Sequence, residues 1–205
     1  MFHQLKLEKD WRKEKLKYMA SNTMTHLKTV LKHKFWVGHY CFQVGLYWRG
    51  LTHDLSKFSP IEFKTGRKYA NGKMSPIDLE KQDKGYSEAW LHHKGRNKHH
   101  YEYWCDGFNT PNGPTPVCMP FEYTLEMFCD YLGAGRAYMG DDFTFKKEYA
   151  WWQKRKTEIC MMHPVQIYFL DTALEWLTKG NGFVSKKMYK QLYDSYVNMY
   201  YKGKI

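Results

Sequence analysis

The sequence has no Cys-x-x-Cys pair, and its five cysteines (Cys41, Cys105, Cys118, Cys129, Cys160) are odd in number and irregularly spaced. This excludes a disulfide framework and a thiolate zinc site, leaving reduced cysteines that belong mostly to a core. No apolar run approaches the ~20 residues of a bilayer span. The opening stretch MFHQLKLEKDWRKEKLKYM also lacks the unbroken apolar segment of a secretory signal. The expectation is a soluble, cytoplasmic protein with no membrane partner. Internal repeats, low-complexity tracts and clear linkers are missing too, so the 205 residues read as a single domain. So are alternating apolar segments of strand length, which makes the class all-α.

Acids are scarce: 21 Asp and Glu face 32 Lys and Arg, for a net charge of +11. Such a balance favours anionic partners, a phosphorylated small molecule first and nucleic acid second. Aromatics are not scarce. With 8 Trp, 17 Tyr and 12 Phe the chain is no disordered basic tail. Trp104, Trp151, Trp152, Tyr200 and Tyr201 are read as packing groups rather than base-stacking platforms.

Spacing and punctuation divide the chain. Residues 3–20, with Leu5, Trp11, Leu16 and Tyr18 at roughly helical intervals, read as an amphipathic helix packed by one face. From Thr23 the apolar positions Leu27, Val30, Leu31, Val37, Cys41, Val44 and Leu46 keep three-and-four spacing to about Trp48, with Gly38 or Gly45 as the place for a break. Ser59-Pro60 and Ser75-Pro76 each set a capping hydroxyl before a proline at the first helical position, predicting helices near 60–70 and 76–82. A helix of about twenty residues is expected from Gly85 to Trp104. Residues 105–120, CDGFNTPNGPTPVCMP, are too rich in Pro, Gly and Asn for regular structure and read as a loop or rim. Further helices are expected near 121–138, 145–160, 164–178 and 184–201.

The residues that carry chemistry are unevenly placed. His26 and His33 lie in THLKTVLKHK, His53-Asp54 in GLTHDLSKF, His92, His93, His99 and His100 in AWLHHKGRNKHHYEYW, and Asp130 in EMFCDYLGAGRAY. Imidazole and carboxylate together suit a divalent Mn, Fe, Co, Ni or Zn ion, and a mixed set with open positions is the usual makeup of a catalytic site. Residues seven apart on a helix differ by only about 20°, so His26 and His33 share a face, which Val30 and Val37 turn inward. On the expected 85–104 helix, His93, Asn97 and His100 form one stripe between Trp90 and Trp104, and His92 and His99 form another. The first is expected to face the core. Asp130 shares its face with Met127, Ala134 and Ala137, where an ionised carboxylate is costly unless paired or metal-bound. The competing readings are a hydrogen-bonded His-Asp helix cap, and an exposed basic strip made of the four later histidines with Lys94, Arg96 and Lys98. His39 and His163 read as ordinary structural histidines.

His26-x-x-x-Val30, then His53-Asp54-Leu55-Ser56-Lys57, then Asp130 resembles the H…HD…D pattern of the HD-domain superfamily of metal-dependent phosphohydrolases. Residues 23–104, through HDLSKFSP and AWLHH…HH.EYW, are more closely similar to a family of bacterial and phage proteins of unknown function. The superfamily resemblance implies an HD-domain-like helical bundle with additional N- and C-terminal helices, its core at about 23–140 and C-terminal helices at about 145–201 packed on it. It also implies His26, His53, Asp54 and Asp130 as metal ligands, Asp54 able to bridge two ions, and Lys57 as a phosphate contact. Ser56 stands where that pattern has glycine. The Gly-Tyr-Pro of one branch is absent, and the two histidine blocks lie only seven residues apart.

The functional expectation is a metal-dependent phosphohydrolase acting on a phosphate ester, with a nucleotide among the candidate substrates. His26, His53, Asp54, His93, His100 and Asp130 would hold one or two ions, Asp54 and Lys57 would serve catalysis, and His33, Lys57, Arg96 and Asn97 would bind substrate. The alternatives are an HD-fold di-iron oxygenase and a non-catalytic accessory protein that binds nucleic acid or protein.

Overall fold

A computed structural model describes residues 2–72 and 74–205, with side chains from Lys17 onward. The chain is all-α. Its helices are α1 (Phe2–Gln43), α2 (Tyr47–Thr52), α3 (Pro60–Tyr69), α4 (Pro76–Lys84), α5 (Glu88–Arg96), α6 (Phe121–Met139), α7 (Phe145–Arg155), α8 (Pro164–Thr178) and α9 (Lys186–Tyr201). The residues form two compact units. The first comprises 1–32 and 55–93, and the second 33–54 and 94–205.

Helix α1 runs unbroken where two helices were expected. The hydroxyls of Thr23 and Thr29 do not cap a new start but bond back to the carbonyls of Met19 and Thr25, at 2.7 and 3.0 Å. The face expected of Leu5, Trp11 and Leu16 lies outside the described side chains, whereas Tyr18 is exposed. The break falls at Gly45, whose φ of 77° suits glycine and separates α1 from α2.

In the first unit, Pro60 and Pro76 open α3 and α4 as their position before a helix dictates. The Ser59 hydroxyl accepts from the Glu62 N–H. The two helices pack on each other around buried Glu80. Its carboxylate accepts from Ser87 Oγ at 2.6 Å and Lys84 Nζ at 2.9 Å, and Ser87 in turn caps Trp90 N–H at 3.0 Å to start α5.

The expected helix to Trp104 is overturned: α5 ends at Arg96. After Gly95, a residue of low helix propensity, the chain turns. His100 N–H bonds Asn97 O, and Trp104 Nε1 donates to Lys98 O at 2.7 Å. The 105–120 segment is also more regular than its composition suggests. Cys105–Asp106 (β1) pairs antiparallel with Thr115–Pro116 (β2), and glycines at φ 85° and 70°, Gly107 and Gly113, form the connection.

The second unit holds the main apolar core. Helix α6 is buried along most of its length and packs against α7, α8 and α9. Phe128, Leu132, Trp152, Phe169, Leu170 and Tyr189 fill the interior. Two glycines of α6 set the closest approaches: a Cβ on Gly133 would lie 2.7 Å from the Val37 backbone nitrogen of α1, and one on Gly135 would overlap the Glu148 carboxylate of α7. The five cysteines are free, and only Cys41 and Cys129 are buried, fewer than the composition suggested. Among the described residues no helix is long and apolar enough to cross a membrane.

Candidate metal centre

Four elements of the second unit bring ligand atoms together. His33 comes from α1, His53 and Asp54 from the end of α2, His99 from the turn after α5, and Asp130 from α6. Lys34 helps fix the α2 end by donating to the carbonyls of Leu51 and His53, at 2.7 and 2.9 Å. The chain then turns at Asp54, whose φ of 54° is the only left-handed value at a non-glycine among the described residues. Such a conformation costs about 1–3 kcal/mol and is held only where the surroundings over-determine it. Here it aims the carboxylate at three imidazoles.

His33 Nε2 lies 3.3 Å from Asp54 Oδ2, 3.1 Å from Asp130 Oδ1 and 3.4 Å from His53 Nε2. His53 Nε2 lies 3.3 Å from both carboxylates. His99 Nε2 faces the other oxygens, Asp54 Oδ1 at 3.4 Å and Asp130 Oδ2 at 3.8 Å. A four-coordinate first-row ion with bonds of about 2.0–2.1 Å separates its donors by about 3.3–3.4 Å, and a six-coordinate one by about 3 Å. The edges among His33, His53, Asp54 and Asp130, 3.1 to 3.4 Å, fit that range, whereas His99 addresses the opposite carboxylate oxygens; the nitrogen and carboxylate donors suit Mn, Fe, Co, Ni or Zn. The His100 ring lies beside that of His99, centroids 4.2 Å apart and tilted by 48°. Its ligand atom falls within 4.8 Å of those of Asp54 and His99, so a second ion could share Asp54.

All five residues are buried, His33 and Asp130 the least deeply. The side chains of His53, Asp54 and His99 are 0%, 2% and 2% exposed, against 9% for His33 and 11% for Asp130.

Charge is balanced by contact rather than by water. Burial works against the Asp130 carboxylate, but hydrogen bonds from His33 and His53 outweigh it and hold Asp130 well below the usual range. Burial likewise works against charge on His53, and Asp54, Asp130 and Glu126 overcome it, holding the imidazole well above its ordinary value. Glu126, one turn before Asp130 on α6, accepts from His53 Nδ1 at 3.1 Å, His99 Nδ1 at 3.3 Å and Arg49 Nη1 at 2.9 Å. Against the penalty of burial, the two histidines bring its carboxyl down to about 2. Glu148, buried with Asp130's charge nearby, moves the opposite way, up to about 8.

His26 belongs to the first unit, packed against Phe63 with ring centroids 5.1 Å apart and flush on Gly66. Burial and the charge of Lys57 lower its basicity. His93 is also in the first unit. Its Nδ1 lies 2.7 Å from Glu62 Oε2 and 3.2 Å from Ser56 Oγ, and the neighbouring His92 Nδ1 lies 2.7 Å from Glu62 Oε1. Lys57 sits on the 3-10 turn Leu55–Phe58. Arg96 is exposed at the end of α5, with Asn97 half-buried after it. The structure thus groups His33, rather than His26, with His53, Asp54 and Asp130, and sets His99 with His100 at the same Asp54. The seven-residue spacing that put His26 and His33 on one face could not say which turn meets the cluster. The His93/Asn97/His100 stripe required a helix that ends at Arg96. Sequence reasoning missed Glu126, although its place four residues before Asp130 was a usable signal.

No curated protein and no solved structure matches the chain. The family model of DUF5662, described as a family of unknown function, matches residues 22–175. That segment spans both compact units and every residue of the cluster, and the chain accordingly belongs to the DUF5662 family.

Proposed function

We propose that this protein is a metal-dependent phosphohydrolase acting on a phosphate ester, with nucleotides the first class to try. The observation that carries this reading is the buried convergence of His33, His53, Asp54 and Asp130 at donor spacings of 3.1 to 3.4 Å, with His99 on the opposite oxygens of the same two carboxylates. A divalent ion bound there supplies Lewis acidity toward a phosphoryl oxygen and toward water. The chain supplies the rest. Asp54 and Asp130 provide the negative charge that retains a cation, and the sealed His53/His99 side excludes water from behind it. Arg96 and Asn97, on the stretch leading into His99, offer a guanidinium and an amide to phosphate oxygens.

The test is a panel of nucleotides and generic phosphoesters with Mn²⁺, Co²⁺, Ni²⁺, Fe²⁺ or Zn²⁺ added to protein purified without a histidine tag. Metal-stimulated hydrolysis abolished by His53→Ala is expected. Hydrolysis that survives His53→Ala, or none with any metal, contradicts the reading.

A second reading, binding of a polyanion, is supported by the first unit alone. That unit carries 15 Lys and Arg against 8 Asp and Glu. It also has a groove of about 650 Å³ whose lining includes Lys64, Arg67, Lys68 and Lys84 over Tyr18 and Ile61. Steep, log-linear loss of nucleic-acid binding with salt, unaffected by His53→Ala, would favour it.

A further inference from the structure

Two histidines of the cluster send the same ring atom to the same oxygen. His53 Nδ1 and His99 Nδ1 lie 3.1 and 3.3 Å from Glu126 Oε1, while Glu126 Oε2 accepts from Arg49 Nη1 at 2.9 Å. The Arg49 guanidinium is itself set over the Tyr123 ring, 4.1 Å from its centroid, so the glutamate is anchored from behind. An ionised carboxylate can only accept, so each Nδ1 facing it must carry a proton. A neutral ring protonated at Nδ1 has its lone pair at Nε2. Both Nε2 atoms point at Asp54 and Asp130: His53 at 3.3 Å to each, His99 at 3.4 and 3.8 Å. Ligating histidines characteristically give their other N–H to a carboxylate or carbonyl, which fixes tautomer and ring orientation and raises ligand basicity. A carboxylate serving two rings at once does more, because it also fixes the angle between two donors.

We propose that Glu126 is the positioning residue of the centre, holding His53 and His99 together as Nδ1–H tautomers so that both present Nε2 to the Asp54 and Asp130 carboxylates, one on each side. This rests on the metal reading above and assigns to that site a residue that touches neither ion nor substrate. Helix α6 thus supplies both layers from one face, Asp130 to the ion and Glu126, one turn earlier, to the imidazoles. A glutamine at 126 cannot reproduce the fork. With its oxygen toward the rings its NH₂ opposes Arg49, and with its NH₂ toward the rings it opposes both Nδ1–H groups.

The experiment uses Zn²⁺ alone as probe, with its dissociation constant read by competition against a chromophoric chelator. Glu126→Gln should weaken Zn²⁺ binding about 10- to 100-fold. Glu175→Gln, altering a half-exposed carboxylate of α8 that pairs with Lys179, should leave binding unchanged. In long-range ¹H–¹⁵N spectra of the Zn²⁺-bound wild-type protein, His53 and His99 should show a slowly exchanging proton on Nδ1 and metal on Nε2. That signature requires no variant to fold, and a merely structural role for Glu126 would not produce it. An Nδ1-ligated resonance for either histidine overturns the positioning role, as does an unchanged dissociation constant in folded Glu126→Gln. If the wild-type protein binds no Zn²⁺, the metal reading itself is contradicted and this inference falls with it.

Discussion

At the scale of single residues, Asp54 concentrates the most constraint. Its left-handed backbone, φ 54°, is a conformation that Asp and Asn tolerate better than other side chains. Asp54→Asn should therefore keep the fold and melting temperature of the metal-free protein while losing metal. Asp54→Ala should lose metal and a further ~1 kcal/mol of stability, because alanine is disfavoured in that region. Paired denaturation curves and metal titrations of the two variants check this. Glu148 makes a separate prediction. Its carboxyl is raised by burial to about 8 in the folded protein, whereas the unfolded chain has the ordinary value of about 4.3. Between those values the native state holds the proton and the unfolded state does not, so this group's contribution favours folding at low pH and is lost as pH rises through 8. Glu148→Gln removes the titration. The variant should gain stability relative to wild type by a few kcal/mol between pH 5 and pH 8.5. A constant difference across that range in parallel melts would contradict the burial argument.

The residue scale also shows how far the sequence could be read. The inward Asp130 follows from one carboxylate among Met127, Ala134 and Ala137, since a charge on a helix face of small and apolar side chains needs a partner. His33 and His26 were indistinguishable for a geometric reason: a shift of two turns preserves the face, yet moves a side chain about 10 Å along the axis. Only the position of the other ligands decides between them.

At the scale of elements, the starts are more legible than the ends. Ser59-Pro60 opens α3 because the hydroxyl meets the Glu62 N–H and the proline needs no donor. Helix α5 stops at Arg96 because tertiary bonds of the following turn take over, Trp104 to Lys98 above all, and a periodicity of aromatic and histidine residues carries no sign of that. His99 was misplaced for this reason. The glycines of α6 are equally silent in sequence, yet they set how near α1 and α7 come. Gly133→Ala would press a methyl to within 2.9 Å of Val37 Cα and 2.7 Å of its nitrogen, backbone that cannot swing away. It should cost about 1–3 kcal/mol in chemical denaturation. Gly95→Ala, with nothing within 4 Å of the added methyl, should instead be neutral or stabilise α5 by up to about 1 kcal/mol. Equal effects of the two would contradict the close-packing account.

At the scale of the whole molecule, charge and chemistry are divided unevenly. The first unit has an excess of seven basic residues in 71, whereas the second unit, with 134 residues, holds the buried His33, His53, Asp54, His99 and Asp130 and an excess of four. If the basic charge steers a small phosphorylated substrate, kcat/KM should fall moderately with added salt while kcat holds. If it serves a polyanion, binding should collapse log-linearly with salt, and Lys64→Glu with Arg67→Glu should weaken binding without touching metal content. The central claim is that His33, His53, His99, Asp54 and Asp130 form a metal centre. The most direct measurement is elemental analysis of untagged protein, wild type beside His33→Ala and His26→Ala, before and after chelation, with melting temperatures recorded throughout. About one equivalent or more of a transition metal in wild type and in His26→Ala, its loss in His33→Ala, and a lower melting temperature on chelation are the predicted result, since an ion bound only to the native state stabilises it. Less than about a tenth of an equivalent in wild type with no uptake of added metal, or metal lost in His26→Ala and kept in His33→Ala, would contradict it.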